Sequence, residues 1–147
     1  MRQARACAEG VERPQALRLI SPREAIARWM HFEPLVTRVI DRVQAGQWSD
    51  DVLTCIQIGS MHLWDIRDGR AVCVTELQDF PRYRQLLIYM VAGDHARDWI
   101  VSGDQQLTDF AKLHHCKYII FQGRPGWERY AKRFGYESKL ILMRKEV

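Results

Sequence analysis

Hydrophobic residues recur along this chain at helical spacing before residue 60 and in extended runs after it. The helical spacing predicts three helices. The first begins at Ser21-Pro22-Arg23-Glu24, where Ser21 is the N-cap, Pro22 takes the first helical position and Glu24 closes a capping box. The second follows Pro34 and ends at Gly46, and the third is capped by Ser49. The apolar stripes of the three helices are Ala25, Ile26, Trp29 and Met30; Leu35, Val36, Val39, Ile40 and Val43; and Val52, Leu53 and Ile56.

The extended runs predict a hairpin and three further strands. Apolar segments at 61–66 and 70–77 flank Arg67-Asp68-Gly69, and Asp-Gly between such segments is typical of a hairpin turn. Residues 84–92 are apolar on both faces, which favours a central strand. Further strands are predicted at 118–122 and 138–143. A helix over 94–115 separates the first two of these three strands, and a shorter helix from Trp127 to Gly135 precedes the last.

The order strand, glycine, helix, strand around Gly93 predicts a βαβ unit. A glycine at the turn lets backbone amides approach an anion, and the N-terminus of the following helix favours negative charge. This layout suits a cofactor that carries phosphate. Trp64, Trp99 and Phe110 each fall on an apolar face, so we expect all three in the core.

Composition indicates one globular domain. The chain has 147 residues, of which 47% are hydrophobic and 27% charged, and no apolar run approaches the roughly 18 residues of a membrane span. We expect no secretory signal, because the N-terminal residues lack an apolar stretch. The four scattered cysteines indicate reduced thiols in a cytoplasm. We expect residues 1–20, which lack a clear period, to form a flexible arm before a domain at 21–147.

Charge is uneven along the chain. From Lys112 onward there are nine Lys and Arg against three Glu. Such a basic region fits a ligand rich in phosphate, or nucleic acid, or simply a solvated face. The arm lacks interleaved aromatic residues, so we do not expect a nucleic-acid partner. His114-His115-Cys116 has no second ligand pair, so we expect no metal site there.

The elements and motifs together resemble the GNAT acyltransferase superfamily, in particular the GNAT-like proteins of tailed bacteriophages and prophages. The resemblance covers residues 21–147 and implies an α+β fold with a mixed, mostly antiparallel sheet, a parallel βαβ core and flanking helices. It rests on Leu63-Trp64, Val74-Thr75-Glu76, Val91-Ala92-Gly93, Phe110-Ala111 with Cys116, Gly123-Arg124-Pro125-Gly126-Trp127 and Gly135-Tyr136.

The resemblance also implies a cofactor, acetyl-CoA, and a set of site residues. Met90, Val91 and Ala92 would face pantetheine, and the turn Gly93-Asp94-His95-Ala96-Arg97 would hold the pyrophosphate. Arg124 would add positive charge at a strand end, and Trp127 would stack on adenine or pack in the core. Glu76 would act as the base on an amine acceptor, and Tyr130 as the acid toward the leaving thiolate.

Two departures from the family pattern keep a second hypothesis open. The family loop reads Gln/Arg-x-x-Gly-x-Gly/Ala, whereas this turn has a single glycine, Gly93. The family tyrosine lies four residues before the Gly-aromatic pair; Ala131 occupies that position here, and Tyr130 is one residue away. The chain is therefore either an acyl-CoA-dependent N-acyltransferase or a GNAT-shaped phage protein without catalysis. The second would bind phage structural proteins or a host factor, in the host cytoplasm or in the virion.

Overall fold

The computed structural model describes residues 15–147, so the predictions for residues 1–14 of the arm lie outside it. Five strands and five helices follow one another along the described chain, with a short 3-10 turn at Pro125–Trp127 before the last helix. In chain order they are β1 (Leu17–Ile20), α1 (Pro22–Ala27), α2 (Trp29–Val43), α3 (Ser49–Gln57), β2 (Met61–Ile66), β3 (Ala71–Phe80), β4 (Tyr83–Gly93), α4 (Ala96–Leu113), β5 (Cys116–Phe121) and α5 (Glu128–Arg133).

The strands form one sheet in the order β1-β2-β3-β4-β5. The first three pairings are antiparallel, and β4 pairs with β5 in parallel through the α4 crossover. The α+β class, the mixed and mostly antiparallel sheet and its parallel βαβ unit are therefore confirmed. In the described part of the chain, no helix is long and apolar enough to cross a membrane.

Two apolar layers cover the two faces of the sheet. One lies beneath α1, α2 and α3 and includes Phe32, Val36, Leu63 and Met90. The other lies beneath α4 and includes Trp64 and Trp99, with the half-buried Phe110 packed against it. The Phe110 ring meets the Trp64 indole edge to face, with ring centroids 5.0 Å apart. Trp64 and Trp99 are thus core residues as expected, whereas Phe110 lies at the rim of its layer.

The strand β1 was not expected, because its residues fall within the predicted 1–20 arm. Leu17 is buried, and its register against Ile66 places it at the edge of the sheet. Gln106 of α4 fixes this strand from the other side: its amide donates to the Leu17 carbonyl at 2.7 Å, and its oxygen accepts from the Leu17 N–H at 2.8 Å. Non-local contacts therefore make a strand of a segment too short to show a period.

The boundary between the first two helices was predicted at Pro34, but the structure places it at Arg28. Pro34 lies inside α2, where its missing N–H leaves the Met30 carbonyl without a helical donor. Met30 is 93% exposed, so water can reach this turn. The predicted stripes were also too wide, since Ile26 and Val43 are largely exposed as well.

Two predicted helix caps need correction. Ser21 does cap α1, accepting from the Glu24 N–H at 3.2 Å, but the Glu24 carboxylate pairs with arginines instead of closing a box. The third helix is confirmed as a helix with Trp48, not Ser49, at its N-cap position. There the Asp51 carboxylate accepts from the Trp48 N–H at 2.7 Å.

The predicted last strand, 138–143, is wrong. This segment has no regular structure and pairs with no strand among the described residues. Its apolar side chains from Leu140 to Met143 are 86 to 94% exposed. An apolar run predicts a strand only where it pairs with a neighbouring strand, and among the described residues this segment pairs with none.

Candidate active site

The site begins where β4 and β5 stop pairing. Their parallel register runs from Arg84 opposite Cys116 to Ile88 opposite Phe121, after which β5 ends and β4 continues to Gly93. On the β3 side, Val74 lies opposite Met90 and Thr75 opposite Ile88, so Tyr89 has no partner across the ladder. Such a bulge bends its strand. The last five residues of β4, from Tyr89 to Gly93, therefore border an opening in the sheet.

The turn after β4 places the start of α4 at this opening. Gly93 has φ of +136° and His95 has φ of +59°, so the chain reverses within three residues before α4 begins at Ala96. The indole N–H of Trp99 donates to the Asp94 carbonyl at 3.2 Å and fixes the turn from inside the helix. The first amides of a helix have no intrahelical acceptor and carry partial positive charge, so they can bind an anion.

A cavity of about 70 Å³ lies on the α4 side of the opening. It is walled by β4, β5, α4 and α5 and is mainly apolar. Its lining includes Ile88, Val91, Phe121, Trp127, Tyr130 and Phe134. The predicted face of the last helix thus lines this cavity with four residues: Trp127, Tyr130, Ala131 and Phe134.

Asp104 and Tyr136 supply polar groups to this cavity. The Tyr136 hydroxyl donates to the Asp104 carboxylate at 3.1 Å. Burial raises the pKa of Asp104, although the tyrosine hydrogen bond opposes that shift. Burial also raises the pKa of Tyr136, with the Asp104 charge acting in the same direction. The pair therefore holds a proton tightly within an otherwise apolar wall.

Tyr130 lies beside two arginines at the entrance to the cavity. Hydrogen bonding from Arg97, and then from Arg129, lowers the pKa of the Tyr130 phenol. The Arg129 guanidinium also lies over the Tyr130 ring, 5.3 Å from its centroid. Tyr130, which we expected to act as the acid, therefore lies beside Arg97, which we expected to bind phosphate.

Glu76 projects from the opposite face of the sheet. Its neighbour Thr75 accepts a hydrogen bond from the Trp64 indole at 2.9 Å in the α4 layer, and successive strand residues face opposite ways. Glu76 is half-buried and accepts from the Gln78 amide at 3.0 Å. Gln85 donates to Gln78 at 2.8 Å, which extends this row of polar groups onto β4.

The bulged residue Tyr89 lies on the same face as Glu76. Its hydroxyl donates to Gln47, in the loop between α2 and α3. Burial raises the pKa of Tyr89, with smaller contributions from Cys55 and Glu76. The Tyr89 phenol thus lies where the β4–β5 pairing ends, and the Glu76 carboxylate lies on β3 opposite Leu87, on the same face under α1 to α3.

The structure separates the three residues expected to face pantetheine. Val91 lines the cavity, whereas Met90 and Ala92 are buried under the helices on the other face. Arg124 is exposed at the start of the 3-10 turn. Trp127 is half-buried against Phe121, with ring centroids 5.7 Å apart.

Sequence reasoning missed three polar residues of this region. Tyr89 appeared as one more residue of a central strand, and nothing local indicates a bulge. Asp104 falls on the polar side of a helix pattern. Tyr136 carried a signal, since it belongs to the Gly-aromatic pair, but its contact with Asp104 depends on how α4 and the chain after α5 pack.

No protein-family model matches the chain, and no curated protein matches it significantly in sequence. Solved structures do match. An acetyltransferase of Trypanosoma brucei aligns with a TM-score of 0.63 at 12% identity, covering 89% of this chain and 98% of that one.

Two more of these structures have stated substrates or ligands. An aminoglycoside acetyltransferase from an uncultured soil metagenomic sample, in complex with sisomicin, gives a TM-score of 0.61 at 10% identity over 89% and 95% of the two chains. Glucosamine-6-phosphate N-acetyltransferase of Arabidopsis thaliana aligns with a TM-score of 0.55 at 15% identity, covering 88% of this chain and 96% of that one. The chain therefore has the fold of the GNAT acetyltransferases.

Proposed function

We propose that the protein is an acetyl-CoA-dependent N-acetyltransferase. The observation that carries this proposal is the end of the β4–β5 pairing at Ile88, which leaves the last residues of β4 without a neighbour on that side as the chain turns into α4. An opening between two parallel strands admits an extended chain, and a helix N-terminus next to it attracts phosphate. The similar acetyltransferase structures add support at the level of the fold.

The residues around the opening fit the cofactor. First-turn amides of α4, with the Arg97 side chain, would hold the pyrophosphate through charge-assisted hydrogen bonds. Val91 and the apolar cavity wall would contact the pantetheine arm. Arg124 and Trp127 would contribute at the nucleotide end. Acetyl-CoA, when bound, supplies an acetyl group activated as a thioester.

Two residues of this chain would handle protons. Glu76 is half-buried, and no Lys or Arg of the described residues forms an ion pair with it, so its carboxylate is free to accept a proton from an amine. Tyr130 has a lowered pKa, which makes its hydroxyl a better proton donor to a leaving thiolate. Glu76 would act on the face of the sheet covered by α1 to α3, and Tyr130 would act on the α4 face.

A binding protein without catalysis is the second candidate. The turn after β4 favours it, because His95 occupies a left-handed position and Asp94 adds a negative charge near the expected phosphate. A role in virion assembly or host-factor binding would follow from this candidate. The similar structures named above carry no indication of a bacteriophage origin, so that role rests on the sequence resemblance alone.

An acetyl-transfer assay separates the two candidates. Purified protein is given acetyl-CoA and an amine panel of sisomicin, glucosamine-6-phosphate and a peptide with a free N-terminus, and release of the CoA thiol is followed. We expect turnover that depends on the amine. Glu76→Gln should lower kcat by roughly a hundredfold or more, as loss of a general base does. Asp109→Asn, which alters an exposed carboxylate on α4, is the matched control and should leave kcat unchanged.

The second candidate predicts a different result. Acetyl-CoA would then be bound without any amine-dependent turnover, or not bound at all. If wild type and Glu76→Gln turn over at the same rate, the protein is an acetyltransferase but Glu76 is not its general base.

A further inference from the structure

Three aromatic rings lie together at the end of the sheet where β3 turns into β4. Phe80 and Tyr83 are opposite each other across this turn, with ring centroids 5.6 Å apart. The Tyr118 ring of β5 meets the Tyr83 ring edge to face, with centroids 5.1 Å apart. Phe80 and Tyr118 are each 47% exposed, so both rings are open to solvent. We call Phe80, Tyr83 and Tyr118 the ring cluster.

The ring cluster lies on the same face of the sheet as Glu76. Glu76, Gln78 and Phe80 alternate along β3, and alternate residues of a strand share a face. Phe80 lies four residues after Glu76, which at about 3.3 Å per residue places their α-carbons about 13 Å apart. The proposed base and the ring cluster are therefore the two ends of one continuous surface.

Two half-buried glutamines lie between these ends. Gln78 and Gln85 are opposite each other on β3 and β4. Gln78 donates to Glu76 at 3.0 Å, and Gln85 donates to Gln78 at 2.8 Å. A side-chain amide has two N–H donors and a carbonyl that accepts twice, so these two bonds use only part of its capacity. A ligand on this surface can both donate and accept here, as a peptide backbone does.

The charges along this surface suit a ligand with a cation at one end only. No Lys or Arg of the described residues forms an ion pair with Glu76, so its carboxylate can receive an ammonium group. At the other end, the Lys117 ammonium lies 5.4 Å from the centroid of the Tyr118 ring. A ligand with several positive charges would be repelled there, whereas a neutral chain would not.

We propose that the acetyl acceptor is the free N-terminus of a peptide, and that the ring cluster binds an aromatic or large apolar side chain at the peptide's fourth residue. This inference rests on the proposed acetyltransferase function. With the terminal amine at Glu76, an extended peptide advances about 3.3–3.6 Å per residue, so its fourth residue reaches the ring cluster. Gln78 and Gln85 would bond the peptide backbone in between. Aromatic pairs also add affinity beyond the area that they bury.

Fluorescence anisotropy tests this proposal on the full chain, with and without CoA. The probe is the peptide Ser-Ala-Ala-Phe-Gly-Ser with a free N-terminus and a dye at its C-terminus, and a second peptide has glycine in the fourth position. We expect the phenylalanine peptide to bind about tenfold more tightly. Tyr83→Ala and Tyr118→Ala should each remove most of this preference. Val101→Ala, which alters an exposed apolar residue of α4, is the matched control and should retain it.

Acetylation of the phenylalanine peptide at its N-terminus should weaken its binding, because the charge that Glu76 receives is then lost. Equal binding of the phenylalanine and glycine peptides by the wild type, a preference that both tyrosine variants keep, or binding that ignores N-terminal acetylation would each overturn the proposal.

The same peptides distinguish this proposal from the proposed function. Turnover with sisomicin or glucosamine-6-phosphate, without peptide binding, would overturn the peptide acceptor and leave the acetyltransferase function in place. Peptide binding with the expected preference, but no acetyl transfer, would support the peptide site and contradict the acetyltransferase function.

Discussion

Gly93 lies opposite Ala71 in the sheet, so close that a β-carbon on Gly93 would lie 2.3 Å from the Ala71 β-carbon. The Arg70 carbonyl would be only 2.7 Å away, and φ at this position is +136°. Only glycine fits both constraints. The turn that places α4 at the opening is therefore fixed by contact with the β2–β3 hairpin.

Gly93→Ala should lower the free energy of unfolding by about 2–4 kcal/mol, because it combines backbone strain with a clash against neighbouring backbone. Chemical denaturation measures this change. Gly126→Ala is the control, since a β-carbon there meets no atom within 4 Å, and its cost should stay within about 0.5 kcal/mol. Equal costs at the two positions would show that the turn relaxes around Gly93.

Asp65 forms the buried centre of a network that joins the hairpin to α1. Its side chain is 2% exposed; it accepts from Arg28 at 3.0 Å and from the Gly69 N–H at 2.6 Å. Asp65→Ala should cost about 2–4 kcal/mol of unfolding free energy, because it leaves these donors unsatisfied. Asp79→Ala breaks an exposed ion pair with Arg84 and should cost much less than Asp65→Ala, because solvent screens that pair. A reversed order in denaturation would contradict this assignment.

The Asp104–Tyr136 pair predicts a pH dependence. Burial raises the pKa of Asp104 above its unfolded value, so the folded state binds this proton more tightly. Its contribution to stability is complete below the unfolded pKa near 3.8 and is lost as pH rises through the folded pKa. Asp104→Asn keeps an acceptor for Tyr136 without the charge. Its stability relative to wild type, measured by denaturation at several pH values, should therefore increase between pH 4 and 7; a flat difference would argue against a raised pKa.

The parts of the fold that were predicted correctly depend on neighbouring residues. The hairpin follows from Asp68-Gly69 between two apolar runs, and the turn residues from Arg67 to Gly69 all have positive φ. The strand β4 and the helix α4 were also predicted because each is long enough to show its period. The order of these elements was sufficient to indicate the fold.

The parts that failed depend on distant residues. The first strand pairs with β2 more than forty positions away, and the break at Arg28 occurs where its guanidinium turns to Asp65. The candidate site follows the same rule. Gly93 and the α5 face were visible in sequence, but the contact between Arg97 and Tyr130 arises only when two helices pack.

Calorimetric titration with acetyl-CoA tests the proposed function most directly. We expect the wild type to bind, and Arg97→Ala to weaken binding by about 1.5–3 kcal/mol, the usual contribution of a charge-assisted hydrogen bond. Arg82→Ala removes an exposed arginine at the opposite end of β4 and should leave binding unchanged. Absence of binding at millimolar acetyl-CoA, or equal binding by wild type and Arg97→Ala, would contradict the account.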